Sequence, residues 1–127
     1  MSFFFDADDG LIIVRTELFG PSGNIFLRLA LDTGATATMI NAGPLATVGY
    51  DPALAPERVQ VTTGSGVEFV PRLQVSQIKV LGQERLLFPV LSHTLPQSTG
   101  VDGLLGLDFL RGQRLNIDFQ QGQISLS

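Results

Sequence analysis

Turn signals divide this chain into short β-branched runs, and no stretch carries the sustained helical periodicity that a bundle needs. Residues 11–18 and 25–31 are apolar and β-branched, and Gly20-Pro21-Ser22-Gly23-Asn24 lies between them as a hairpin connection. The pattern recurs. Residues 58–62 and 67–75 flank a glycine-rich tip, residues 77–81 and 85–91 flank Gly82-Gln83, and residues 114–119 and 123–126 flank Gln121-Gly122. Hairpins at this spacing predict an all-β domain, built as a closed barrel or a sandwich. Residues 37–40 make a further short strand, after which Asn41 is placed to cap a brief helical turn through Ala46 that Gly49 ends. The main helix is expected at residues 107–111, one short C-terminal element. A chain of 127 residues predicts a single domain, residues 1–127, with residues 1–10 as a flexible arm able to occlude a cleft.

One of these strands ends in Leu29-Ala30-Leu31-Asp32-Thr33-Gly34, an apolar run followed by a carboxylate, a hydroxyl and a glycine. By itself Asp-Thr-Gly is also an ordinary turn, since Asp and Gly are favoured there and Thr bonds locally. At a strand end it can present Asp32 into a cleft. A single carboxylate cannot both deprotonate a water and protonate a departing amine, so acid/base hydrolysis needs a second group. Either the rest of the chain supplies that group or a second copy does.

Composition narrows the choice. There is no cysteine, which removes disulfides, thiol catalysis and thiolate metal sites. The lone histidine, His93, argues against a histidine metal cluster or a Ser-His-Asp triad and is read as a loop or surface residue. A net charge of −4 with scattered basic residues leaves no footprint for nucleic acid and no polybasic membrane patch. No apolar run reaches the length of a membrane span, and Phe3-Phe4-Phe5 is too short for a signal peptide, so the chain is expected to be soluble and cytoplasmic.

Downstream the chain reads Gly100-Val101-Asp102-Gly103-Leu104-Leu105-Gly106-Leu107-Asp108-Phe109-Leu110-Arg111-Gly112, a buried strand ending in glycine and then a helix start. Together with Asp-Thr-Gly this resembles the retropepsin-like aspartic peptidases, most of all the domains of DNA-damage-inducible-type proteins and their bacterial relatives. In that family an apolar-apolar-Gly segment packs against the active-site loop. Residues 59–69 stand between the two motifs, where the family places its flap. Val101-Asp102-Gly103 lacks the hydroxyl residue, so Asp102 is read as a turn or capping residue.

The resemblance implies a homodimer in which the Asp32 carboxylates of two copies face a water. One acts as base and the other as acid, with no metal, cofactor or covalent intermediate. It implies support roles for Thr33, whose hydroxyl would bond to the opposite subunit's loop, for Gly34, whose amide would reach the carboxylate, and for Ala35, Leu105 and Gly106. The flap would be Thr62, Thr63, Gly64, Ser65 and Gly66, closing on an extended polypeptide substrate, with Thr36 a further substrate contact. Many pepsins have a hydroxyl residue where Ala35 stands; alanine cannot bond an ionised carboxylate, so activity is expected at mildly acidic pH. Terminal strands, with Ile124 and Leu126 alternating as in an edge strand, are expected at the dimer interface. Two rival readings are an inactive dimeric peptide-binding module of the same fold and phosphoryl transfer through an aspartyl phosphate. The chain lacks the lysine and the βα alternation that the second would need.

Overall fold

The computed structural model describes residues 1–63 and 66–127. Over these residues the chain runs through strands β1 (Ser2–Phe4), β2 (Ile13–Gly20), β3 (Gly23–Leu31) and β4 (Met39–Ile40), then helix α1 (Ala42–Thr47). Strands β5 (Glu57–Thr63), β6 (Gly66–Val80), β7 (Gln83–Ser92) and β8 (Gly103–Leu105) follow, then helix α2 (Leu107–Leu110), β9 (Leu115–Asp118) and β10 (Gln123–Leu126). The order β2-β3-β8-β4-β7-β6 returns to β2 through Thr16↔Val80 and Phe19↔Gln77, closing a barrel of six strands and removing its edges. Strand β5 lies outside the ring as the partner of β6. No described helix is long and apolar enough to cross a membrane.

Alternation decides which side chains enter. In β2, Val14, Thr16 and Leu18 are buried while Arg15 points out; Val14 and Leu18 meet Leu27 and Leu29 of β3, Ile40, Leu45 of α1, Leu105 and Phe109 in one cluster. In β6 the inward face moves from odd to even positions across Ser76: Leu73 and Val75 are buried before it, Ile78 and Val80 after it. The β6–β7 ladder skips the pair Ser76 and Leu87 at this point, and Leu87 takes φ +50°. Tyr50 fills the break. Its hydroxyl accepts from Ser76 N (2.7 Å) and donates to Phe19 O (2.8 Å). Tyr50→Phe is therefore expected to lower stability by about 1 kcal/mol, the worth of a hydrogen bond that water can partly replace. A denaturation midpoint shift at constant slope checks it.

Several local expectations shift. The β6–β7 turn falls on Leu81-Gly82, at φ +54° and +75°, and not on Gly82-Gln83. A left-handed leucine costs about 1–2 kcal/mol. Burying Leu81 to 4% exposure returns about the same amount, so the apolar residue holds the position. Asn41 precedes α1 without capping it: its Nδ2 donates to Val101 O and its Oδ1 accepts from Leu95 N, tying two loops together. With six residues, α1 is longer than the four-residue α2, so the main helix is not the C-terminal one. Strand β10 is central, not an edge, because β1 pairs with one side of it and β9 with the other. The N-terminal segment thus contributes a strand, with Phe3 and Phe5 packed on the core.

Candidate active site

Strands β3 and β8 run parallel and end together, with Leu29↔Gly103, Ala30↔Leu104 and Leu31↔Leu105 in register. Strand β4 pairs antiparallel to the other side of β8. Strand β8 is thus inserted between β3 and β4, consecutive strands joined only by residues 32–38. That connection has to arch over the end of β8, and Asp32 stands where it begins.

The arch is fastened to what it crosses. Asp32 N donates to Leu105 O (3.0 Å), carrying the parallel ladder one residue further, and Leu107 N donates to Ala35 O (2.8 Å). Gly106 lies directly beneath: a Cβ there would stand 2.7 Å from the backbone of Ala37 and 2.9 Å from Ala35 O. Only glycine lets β8 pass so close under the loop. The turn also shapes the carboxylate. Gly34 N donates to Asp32 Oδ1 (2.8 Å) and Ala35 N to Asp32 O (3.2 Å), so one carboxylate oxygen is held by the backbone. Asp32 is half-buried, while Thr33, Gly34 and Thr36 are exposed. Among the described residues no lysine, arginine or histidine pairs with Asp32, and the hydroxyl of Thr33 has no hydrogen-bond partner.

Two further residues build the site and were not singled out from sequence. Thr38, fully buried, accepts from Gly106 N at its Oγ1 (3.1 Å) and donates that hydroxyl to Asp108 Oδ1 (2.7 Å); its backbone N also donates to the Asp108 carboxylate (3.0 Å). This chain of bonds ties both ends of the crossing, the strand below and the loop above, to the first turn of α2. The signal was present: Asp108 interrupts the apolar run from Leu104 to Leu110, and a carboxylate in such a run requires partners. Asp102 has a lesser part. Its Oδ2 accepts from Arg28 N (2.8 Å) and its N donates to Arg28 O (2.8 Å), extending the pairing of β3 with β8.

Of the residues expected to act together, Asp32, Thr33, Gly34, Ala35, Leu105 and Gly106 are gathered at this crossing. Thr62, Thr63 and Gly66 lie on the β5–β6 hairpin, in the pairs Thr62↔Val67 and Thr63↔Gly66. Gly64 and Ser65 lie outside the described residues.

A closed barrel whose inserted strand ends beneath an Asp-Thr-Gly loop is the architecture of an aspartic-protease-like hydrolase. A family model described as gag-polyprotein putative aspartyl protease matches residues 23–112, from the start of β3 past the end of α2. The chain belongs to that family. Among solved structures, a retropepsin-like aspartic protease from Rickettsia conorii shares the fold with a TM-score of 0.72 at 16% identity, over 99% of this chain and 88% of that one. No curated protein matches the sequence.

Proposed function

We propose that the protein is an aspartic endopeptidase, acting as a homodimer on extended polypeptides through a water held between two Asp32 carboxylates. The observation that carries this reading is Asp32 itself: a half-buried carboxylate on a braced arch, with one oxygen bonded to Gly34 N and, among the described residues, no cation paired with it. The chain contains one Asp-Thr-Gly, so the second carboxylate is assigned to a twofold-related copy. The exposed hydroxyl of Thr33, which has no hydrogen-bond partner among the described residues, supports this, as it can bond across a twofold axis. The terminal sheet supports it too, since β1 and β9 are its outer strands and each offers an edge to a second copy.

Two like charges at close range share one proton. The ionised Asp32 removes a proton from the water as its oxygen attacks the scissile carbonyl, and the protonated Asp32 gives its proton to the carbonyl oxygen. Collapse of the tetrahedral species returns a hydroxyl proton to the ionised Asp32 as the carbonyl reforms and expels the amine, which takes up the proton held by the other, so the dyad ends singly protonated as it began. Thr62, Thr63, Gly64, Ser65 and Gly66 are assigned to covering the bound peptide and Thr36 to contacting it. Apolar side chains beside the cleaved bond suit the Leu, Val, Ile and Ala around both motifs.

Cleavage of a mixed peptide library, scanned from about pH 3 to pH 8, tests the reading. A bell-shaped profile is expected, together with a rate that rises with the square of protein concentration below the dimer's dissociation constant. A dimer inert across the whole range would instead be a peptide-binding module.

A further inference from the structure

The β5–β6 hairpin leaves the barrel at its base. Strand β6 first meets β7 at Arg72↔Leu91, so residues 58–63 and 66–71 pair only with one another. Opposed residues share a face: Val59, Val61, Glu68 and Val70 lie on one, and Gln60, Thr62, Val67 and Phe69 on the other. Val70 is buried and Val59 and Val61 are half-buried, whereas Val67 and Phe69 are 56% and 65% exposed. The first face is therefore turned to the barrel. On it, Glu68 Oε2 lies 3.7 Å from His93 Nδ1. Among the described residues this is the one polar side-chain contact between the projecting part of the hairpin and the rest of the chain.

His93 stands on a fixed platform. Leu91 N donates to Thr38 O (3.0 Å), His93 N to Ile40 O (3.2 Å), Ala42 N to Thr94 Oγ1 (3.1 Å) and Leu95 N to Asn41 Oδ1 (3.0 Å). These bonds fasten residues 91–95 to β4 and the start of α1. Other charged side chains of this part of the chain are engaged elsewhere. Glu57 and Arg72 pair with each other at the base of the hairpin, Asp102 holds the amide of Arg28, and Asp108 holds Thr38. His93 is also the only histidine, and histidine is the side chain that ordinarily changes charge between about pH 5 and pH 8.

We propose that His93 and Glu68 form a proton-operated latch on the β5–β6 hairpin. As an imidazolium His93 holds the Glu68 carboxylate and keeps the inner face of β6 against the barrel. As a neutral ring it releases that hold, and the hairpin opens more often. The sign follows from charge: protonation favours the seated hairpin and high pH the loosened one. The pair is partly exposed, so the effect is modest, about two- to fivefold in the opening equilibrium. Only its catalytic consequence rests on the proposed peptidase activity. There, mildly acidic pH would seat the hairpin and high pH would loosen it.

Amide hydrogen exchange on the full chain tests the latch without substrate or cleavage, with protection corrected for the intrinsic pH dependence of exchange. Away from the barrel a lone two-stranded ladder is only marginally stable and frays, so the amides of residues 67–71 that pair with β5 report the unseating, and their protection is expected to be about two- to fivefold higher at pH 5 than at pH 8 in wild type. The difference should vanish in Glu68→Gln, and in His93→Lys protection should stay high at both pH values because the cation is permanent. Wild-type protection that ignores pH, or a pH dependence that survives in Glu68→Gln, overturns the latch. A protein inert toward peptides leaves this measurement intact, whereas an active peptidase with a pH-indifferent hairpin loses the latch and keeps the activity.

Discussion

Asp32→Asn is expected to reduce peptide cleavage by at least about a thousandfold while leaving the fold in place, because an amide can neither take the proton from the water nor return one. The fold survives because asparagine retains the oxygen that accepts from Gly34 N, and the backbone bonds of the arch do not involve the substituted atom. The stability change should stay under about 1 kcal/mol. Mixing makes the prediction sharper. If each site takes one carboxylate from each of two copies, an equal mixture of wild type and variant re-equilibrates so that about a quarter of the dimers carry both aspartates. Activity per total protein should then fall to about a quarter of that of wild type alone at the same total concentration. A fall to only about a half would mean that each copy works alone, and the shared-site reading would be discarded.

Asp108→Ala is expected to cost about 2–4 kcal/mol, because it strands the amide and the hydroxyl of Thr38, both buried, without an acceptor. In a domain whose total stability is about 5–15 kcal/mol this is a large share, and the melting temperature should fall by about 10 °C. Asp108→Asn keeps one acceptor oxygen and should lose about half as much. Because Thr38 and Asp108 act through a common set of bonds, Thr38→Val and Asp108→Ala should be non-additive by at least about 1 kcal/mol in a double-mutant cycle. An Asp108→Ala variant as stable as wild type would show that the carboxylate does not brace the crossing. The damage should also reach function, since Gly106 bonds Thr38 and lies under the loop that presents Asp32.

The hairpins β2–β3, β5–β6, β6–β7 and β9–β10 were legible because each depends on residues close in sequence: alternating apolar positions and a turn that accepts left-handed backbone. The Asp-Thr-Gly turn is local in the same sense, with its oxygen and the Gly34 amide two residues apart. Even so, local rules misplaced the Leu81-Gly82 turn and gave Asn41 a cap it does not form. In both cases distant contacts outweighed local preference: burial of Leu81 against the core and two loop carbonyl and amide groups competing for the Asn41 side chain.

The sequence by itself determined the all-β class, the four hairpins and the Asp-Thr-Gly turn at the end of β3, since these follow from a period of two, from turn residues and from a motif contained in three consecutive positions. Tertiary structure alone decided that β8 is inserted between β3 and β4, that Gly106 passes beneath Ala35 and Ala37, and that Thr38 meets Asp108. Those contacts join residues some 70 positions apart. No local propensity encodes such a pairing, because its free energy exists only once the barrel has closed and excluded the water that would otherwise bond each of these groups separately.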